Sequence, residues 1–257
     1  MIMEIFGYPL EIVLFICIGV FLASFVDSIG GGGGLISVPV YLLAGLPAHL
    51  ALGTNKMSAC IGTVVSTGRF IKNGFINWSL APGCIALALI GSHFGTRIQL
   101  SLDDHLLKLI LLCCLPVIAF VILRQKTLPE EPGDIAPGRQ KAIMWIAALL
   151  IGGYDGLYGP GTGTFLLLVG CNLAKMDVRT SSGTAKLINL SSNISSLVTS
   201  LLAGTVLVPI GLIAAVFSIA GHYIGAGLTL KNGSKVVRPV ILVVLLLLTI
   251  KVISELF

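Results

Sequence analysis

The sequence predicts an all-α polytopic membrane protein, built from two inverted repeats of about five helical segments each. Three observations lead to this fold class. The first is composition: 56% of the 257 residues are hydrophobic, only 11% are charged, and the mean hydropathy is +1.02. About a quarter of the residues of a soluble domain are charged. The second observation is a series of long apolar segments, and the third is a motif that occurs once in each half.

Ten apolar segments follow one another along the chain. Eight of them are close to the roughly 20 residues that a helix needs to cross the hydrocarbon core of a bilayer. The second and seventh are short and follow glycine-rich motifs, so broken or short helices are expected there. No basic residue precedes the first segment, which is therefore expected to be a retained helix and not a secretory signal. The segments lie at about 10–28, 34–46, 52–71, 79–97, 105–123, 141–157, 162–174, 182–203, 207–229 and 236–254.

A repeated motif relates the two halves. A shift of 130 residues places GTNK at 53–56 on GTAK at 183–186. The same shift superimposes part of the glycine run at 30–34 on the motif GPGTG at 159–163. The likeness is spread over each half, so it indicates an internal repeat. Within these glycine motifs two pairs match under this shift, Gly31 with Gly161 and Gly33 with Gly163.

The loop charges predict how the halves are oriented. A polar linker at 124–141 separates an N-terminal repeat at 1–123 from a C-terminal repeat at 142–257. Five crossings in each half place 11 of 14 loop lysines and arginines on the linker side, whereas four crossings divide them 7 to 7. Because basic loops stay in the cytoplasm, the linker is predicted to be cytoplasmic and both termini extracytoplasmic.

The glycine motifs predict a substrate site. In transporters with paired repeats, glycine-interrupted segments at matching positions indicate broken helices near the middle of the membrane. Backbone N–H groups freed there find no partner in lipid, but an anion can bind them together with the positive end of a helix dipole. The alternative is that the glycines only permit close helix packing. The candidate backbone donors are Gly32, Gly33, Gly161 and Gly163.

Lys56 and Lys186 are a second indication of an anion site. A charged side chain at the bilayer centre costs about 2.5–3.5 kcal/mol on the insertion scale, so it is a functional candidate by default. Helical spacing places Asn189 and Asn193 on the same face as Lys186. The alternative is that both lysines reach the membrane surface from a helix end. The neighbours expected to cap the same helix starts are Thr54, Asn55 and Thr184.

Asp27 and Asp155 precede the two glycine motifs, and either could balance a lysine or carry a coupling proton. An equally strong alternative is a carboxylate that binds backbone N–H groups at a helix end. His93 and His222 match between the halves, and a structural role is expected for both.

Several function classes are not expected. The six cysteines show no CxxC or Cys/His spacing, so neither a metal site nor a disulfide framework is predicted. The basic residues are not interleaved with aromatic ones, which argues against a nucleic-acid partner. No nucleophile and base recur at a recognisable spacing, so an enzyme is not expected, and no cofactor is predicted.

The stretch GGGGGLISVPVYLLAGLPAHLALGTNK at 30–56, the second GTAK and the charged linker resemble the TauE/SafE family of sulfite and organosulfonate permeases. The likeness covers nearly the whole chain, although Pro160 and Thr162 depart from the fuller glycine pattern. It implies a multi-pass carrier of the bacterial inner membrane for small sulfur-containing anions such as sulfite or sulfoacetate, without an ATPase of its own.

Residues and resemblance together predict a secondary transporter that works by alternating access. In this hypothesis Lys56 and Lys186 neutralise a sulfur oxyanion, while threonine, asparagine and backbone N–H groups donate hydrogen bonds to it. Two alternatives stay open: a thiosulfate-type carrier with Cys60 as a relay, and a passive anion channel. Residue types do not determine the substrate, the direction of transport, the driving force or the oligomeric state.

Overall fold

The computed structural model describes residues 4–5, 7–103, 106, 128–237 and 239–240. Within these ranges the chain is almost entirely helical, and the prediction of an all-α fold is confirmed. Two-residue strands, β1 (Glu4–Ile5) and β2 (Tyr8–Pro9), pair antiparallel just before the first helix. The helices are α1 (Leu10–Gly30), α2 (Gly34–Leu43), α3 (Ala48–Lys72), α4 (Ala81–Ser101), α5 (Pro137–Leu157), α6 (Thr162–Leu168), α7 (Val178–Leu202) and α8 (Val208–Asn232).

Some predicted features lie outside the described residues. The predicted apolar segments at 105–123 and 236–254 fall almost entirely there, and so does the beginning of the linker. The charge count behind the predicted orientation includes several of these residues, so that orientation stays a prediction. The counted lysines and arginines outside the described residues are Lys108, Arg124, Lys126, Arg238 and Lys251. His105, Cys113 and Cys114 lie outside them as well.

Two of the described helices, α1 and α8, are both long and apolar enough to cross a membrane. The helices α3 and α7 have 25 residues each, about 37 Å at 1.5 Å per residue, but they are less apolar. Their lower hydropathy comes from their polar residues, and most of these residues are buried among other helices. The short segments are short helices, as predicted: α2 has 10 residues, and α6 has seven before a π-helical turn at Val169–Leu173.

The starts of α3 and α7 correct one prediction. The helix α3 begins after Pro47, because a proline disfavours the helical conformation in the residue before it. The helix α7 begins after Asp177, whose carboxylate accepts the N–H groups of the next two residues. Both starts are four residues earlier than expected. The expectation that Thr54, Asn55 and Thr184 cap these helices is therefore wrong, and Lys56 and Lys186 lie about two turns inside them.

The helices of the two halves are interleaved. The first half's α1 packs along α8, and its α4 packs along α5 of the second half. Glycine permits both contacts: a Cβ atom at Gly91 would overlap the carbonyl oxygen of Leu149, and one at Gly221 would overlap that of Phe21. The polar helices α3 and α7 also contact each other. The centre of the bundle is thus formed by both halves.

Contacts between the halves recur with the shift of 130 residues. The hydroxyl oxygen of Thr54 accepts the N–H of Leu207 at 3.0 Å. Its match Thr184 accepts the N–H of Asn77, the match of Leu207, at 3.4 Å. In both places the loop after a helix of one half is bound to the polar helix of the other. Close backbone approaches recur in the same way, at Gly53 on Thr205 and at Gly183 on Phe75.

Candidate functional site

Glycine residues interrupt the helices at two matching places. The chain leaves α1 through Gly31 and Gly32, with φ of 76° and 85°, before it enters α2. It leaves α5 through Gly159 and Gly161, with φ of 98° and 87°, before α6. These left-handed conformations are readily available to glycine and unfavourable for other residues. The predicted helix breaks are therefore present in both halves.

The two glycine motifs also touch each other. A Cβ atom at Gly31 would overlap the backbone nitrogen of Thr164, and one at Gly163 would lie 2.9 Å from the Cα atom of Gly31. The hydroxyl of Thr164 donates to the carbonyl oxygen of Gly30 at 2.8 Å. The helix-break and close-packing interpretations thus apply to the same positions.

Lys56 forms an ion pair with the opposite half. Its Nζ lies 2.9 Å from Oδ2 of Asp155 on α5 and donates to Oδ1 of Asn193 on α7 at 3.1 Å. The hydroxyl of Ser192 donates to the same Asp155 oxygen at 2.6 Å. One ammonium and one carboxylate are therefore held together where α3, α5 and α7 meet.

Lys186 forms the corresponding pair in the other direction. Its Nζ lies 2.6 Å from Oδ2 of Asp27 on α1 and also donates to the backbone carbonyl of Asp27. The other carboxylate oxygen of Asp27 accepts the N–H of Gly33 at 3.0 Å. On α8, His222 places Nε2 3.9 Å from Asp27 Oδ2, and its Nδ1 lies 3.0 Å from the hydroxyl of Ser66.

The burial of the lysines decides between two interpretations made from the sequence. Only 7% of the Lys56 side chain and 4% of the Lys186 side chain are exposed. A buried charge is tolerated when it is paired and hydrogen-bonded, and each lysine is paired with an aspartate of the other half. The alternative that both lysines extend to the membrane surface is wrong for this structure.

A polar cleft lies beside the two ion pairs. It contains about 470 Å³ of atom-free space, including space open to solvent. The polar side chains that line it come from both halves and from seven of the described helices. The predicted site residues among its lining are Asp27, Gly33, Asn55, Lys56, Asp155, Gly163, Asn189 and Asn193.

Other predicted site residues do not line this cleft. The ammonium of Lys186 is turned toward both the carboxylate and the carbonyl of Asp27. The hydroxyls of Thr54 and Thr184 accept loop N–H groups. Gly32 and Gly161 shape the two bends. The N–H of Gly33 already binds Asp27, so this predicted donor to an anion has a partner within the protein.

The sequence interpretation missed several polar residues of the site. His222 was assigned a structural role, but it lines the cleft next to Asp27. Ser192 binds Asp155, and it follows Asn189 by three residues, so helical spacing was a usable signal. Ser24, three residues before Asp27, lines the cleft for the same geometrical reason. The other serines of the lining are Ser37 and Ser58.

The described cysteines have no part in the cleft lining. Cys60, one turn after Lys56, is buried and free, as are Cys17, Cys84 and Cys171. The candidate relay for a thiosulfate-type carrier is therefore close in sequence to Lys56, but it is not among the residues that line the cleft.

The chain is similar to known membrane proteins. Residues 16–252 match the family model described as sulfite exporter TauE/SafE. A probable membrane transporter protein of Haemophilus influenzae is 32% identical over 97% of this chain and 96% of that protein. The probable membrane transporter protein ORF9 of Sinorhizobium sp. is 30% identical over 95% of this chain and 94% of its own. The probable membrane transporter protein YfcA of Escherichia coli K12 is 32% identical, with 91% and 87% covered.

No solved structure gives a significant match to the chain. The family model nevertheless spans most of the first described helix, both glycine motifs, both lysines and the linker. Together with relatives that are similar over nearly their full length, this match shows that the chain belongs to the sulfite exporter TauE/SafE family.

Proposed function

We propose that this protein is a secondary transporter that carries a small sulfur-containing oxyanion across the bacterial inner membrane by alternating access. The observation that carries the proposal is the pair of buried lysines, one from each half. Each is held by an aspartate of the opposite half beside a glycine bend. The family and the names of its relatives support a membrane transporter, and buried lysines in such a protein indicate an anion as the substrate.

The two halves form an inverted repeat in this proposal. The contacts that recur with a shift of 130 residues support it, because a pseudo-twofold axis between two copies of one fold produces such matching contacts. Each polar helix binds the loop of the other half at the same position of the motif. The linker is then cytoplasmic and both termini are extracytoplasmic.

The anion binds in the cleft at Lys56. This ammonium lines the cleft, and charge-assisted hydrogen bonds to an oxyanion are about twice as strong as neutral ones. The side-chain amides of Asn55, Asn189 and Asn193 line the same space and supply further donors.

The two ion pairs determine how much free energy is needed to switch between the access states. Each pair connects helices of opposite halves, α3 to α5 and α7 to α1. Removing one partner of a buried pair costs about 3–5 kcal/mol, so neither pair opens without compensation. An anion that replaces the carboxylate at a lysine offsets this cost. Substrate binding is thereby coupled to the contacts between the halves.

A solute panel in proteoliposomes tests the function. Purified protein is reconstituted and assayed for counterflow of sulfite, sulfoacetate, methanesulfonate, sulfate and thiosulfate. We expect saturable counterflow of sulfite or a sulfonate, and its loss in Lys56→Met. Flux that never saturates would indicate a channel, and absence of sulfite and sulfonate flux would refute the proposal. Thiosulfate transport that is lost in Cys60→Ser would favour the cysteine relay.

A further inference from the structure

Asp155 holds the position that an anion needs at Lys56. The Lys56 ammonium lies 2.9 Å from Asp155 Oδ2 and also donates to Asn193 at 3.1 Å. An anion that approaches this ammonium therefore competes with a carboxylate that is already there. Only 3% of the Asp155 side chain is exposed, so a displaced, ionised carboxylate would be a buried charge without its partner. Such a charge is strongly unfavourable, and a buried acid avoids the cost by taking up a proton.

We propose that Asp155 takes up one proton each time an anion binds at Lys56, so that one proton is carried with each anion. This inference rests on the proposed function. The incoming anion receives its countercharge from the Lys56 ammonium. The proton leaves a hydronium ion or buffer acid and forms an O–H bond on the Asp155 carboxylate. When the anion leaves, the proton returns to water and Asp155 pairs with Lys56 again, so the site has the same net charge empty and loaded.

The hydroxyl of Ser192 fits both protonation states of Asp155. It has one proton and two acceptors within reach, Asp155 Oδ2 at 2.6 Å and the carbonyl oxygen of Asn189 at 3.0 Å. With Asp155 ionised, the hydroxyl donates to the carboxylate. With Asp155 protonated, the carboxyl donates to Ser192 Oγ, and the hydroxyl proton turns to Asn189. A hydroxyl both donates and accepts, so no helix has to move to keep the carboxyl hydrogen-bonded.

The charged surroundings of Asp155 are simple. Among the described residues, Lys56 on α3 is the charged group in direct contact with it. Asp27 on α1 and His222 on α8 line the same cleft, and Lys186 on α7 is bound to Asp27. The other elements packed around Asp155 contribute uncharged side chains, among them Thr96 on α4, Thr162 on α6 and, on α7, Ser192, Asn189 and Asn193.

Asp27 is less suited to this role, although it also precedes a glycine motif and pairs with a lysine of the other half. Its carboxylate keeps the N–H of Gly33 as a donor without Lys186, and His222 lies 3.9 Å away. Its side chain is 17% exposed, so an ionised carboxylate costs less there. Lys186 also binds its backbone carbonyl. The geometry therefore favours Asp155 over Asp27 as the group that is neutralised when the anion binds.

The test separates exchange from coupled accumulation in proteoliposomes. Methanesulfonate is the probe, because its acid stays ionised at every pH used, and sulfite is a second probe for counterflow. Counterflow at equal pH measures transport alone. Accumulation driven by a pH gradient, acidic outside, with the membrane potential clamped, measures coupling. For one proton per anion, wild type is expected to accumulate the probe about tenfold per pH unit. An internal pH indicator should report one proton entering with each anion.

Asp155→Asn is expected to abolish the accumulation and to make counterflow independent of pH. Asp134→Asn, an exposed carboxylate of the linker, is the matched control and should accumulate the probe like wild type. Accumulation by Asp155→Asn at the wild-type level would overturn the coupling role and leave the proposed function intact. So would wild-type counterflow without proton entry. Absence of wild-type counterflow for both probes would refute the proposed function, and the coupling with it.

Ser192→Ala keeps the proposal falsifiable if Asp155→Asn does not fold. This variant retains the carboxylate and the ion pair but removes the hydroxyl that serves both protonation states. We expect a shift in the pH midpoint of methanesulfonate counterflow, which is the pH at which its rate is half-maximal. A purely structural role of Ser192 would change the amount of folded protein without moving this midpoint, and an unmoved midpoint would contradict the proposal.

Discussion

Lys56 and Lys186 occupy matching positions in the sequence, but their ammonium groups have different partners. Lys56 lines the cleft and binds one carboxylate oxygen and one amide oxygen. Lys186 is bound to both the carboxylate and the carbonyl of Asp27. The two half-sites are therefore not equivalent in this structure, and we expect substitutions at the two lysines to have different effects on binding and on stability.

A double substitution separates the stabilising and binding roles of Lys56. Lys56→Met leaves Asp155 buried without its partner, so we expect a loss of about 3–5 kcal/mol in stability as well as a loss of transport. Adding Asp155→Asn should restore most of the stability but not the transport, because the ammonium is still absent. Thermal unfolding in detergent and counterflow measure the two effects. Normal transport by the double variant would remove Lys56 from the anion site.

Lys56→Arg tests the geometry of the same site. A planar guanidinium does not replace a compact ammonium in a close-packed pair, so we expect weak transport, at least tenfold below wild type, with a folded protein. Counterflow at saturating methanesulfonate and sulfite measures it. Full transport by this variant would mean that only the charge matters.

The glycine bends between α1 and α2 and between α5 and α6 connect helices and also pack against each other. At Gly31 a left-handed φ of 76° coincides with a backbone contact that leaves no room for a Cβ atom. Gly45 has a similar φ of 87°, but open space surrounds it. The chain thus offers a comparison between conformational strain alone and strain combined with overlap.

Three alanine variants make this comparison. Gly68→Ala, in helix α3 with open space around it, should raise stability by about 0.5–1 kcal/mol, because alanine is the better helix former. Gly45→Ala should cost about 1–2 kcal/mol from the left-handed conformation. Gly31→Ala should cost more than Gly45→Ala, because the backbone of α6 would have to move. Unfolding in detergent ranks the variants, and equal stability of Gly31→Ala and Gly45→Ala would contradict the close contact.

The threonines of the repeated motif connect elements and do not line the cleft. Thr54→Val and Thr184→Val each leave a loop N–H without its acceptor, which costs about 1–3 kcal/mol when that group is buried. We expect lower thermal stability and an unchanged KM for the anion. A raised KM with unchanged stability would return these threonines to the substrate site. Ser101→Ala, at an exposed serine at the end of α4, is the control.

The two halves depend on each other throughout the described bundle. Two helix pairs, α1 with α8 and α4 with α5, each contain one helix from each half. The ion pairs join α3 to α5 and α7 to α1. A rigid movement of one half against the other would therefore change both ion pairs together. This is the geometry that the proposed alternating access requires.

Membrane orientation is the prediction for the entire chain. Reporter fusions at residue 132, in the linker, and at the C-terminus should give opposite signals, cytoplasmic for the first and extracytoplasmic for the second. The physical reason is the excess of lysine and arginine on the linker side. Matching signals at the two sites would exclude five crossings in the second half.

Composition and periodicity were sufficient for the helical fold, for the helix breaks and for the two lysines as candidates. These properties are local: apolar runs of helical length, glycine runs and charges inside apolar segments can all be read along the chain. Helix starts were less predictable. Both polar helices begin four residues early, because Pro47 and Asp177 determine the starts, while the threonines bind loops of the other half.

The sequence by itself determined that two lysines and two glycine motifs occur at matching places, and that an aspartate precedes each glycine motif. Only the tertiary structure decided that Lys56 pairs with Asp155 and Lys186 with Asp27, and that His222 and Ser192 join them. The reason is physical: the lysine and the aspartate of each ion pair are more than 90 residues apart in the chain, and no local pattern specifies which helix faces close packing brings together. Burial then makes these pairings obligatory, because a charge inside the bundle needs a partner.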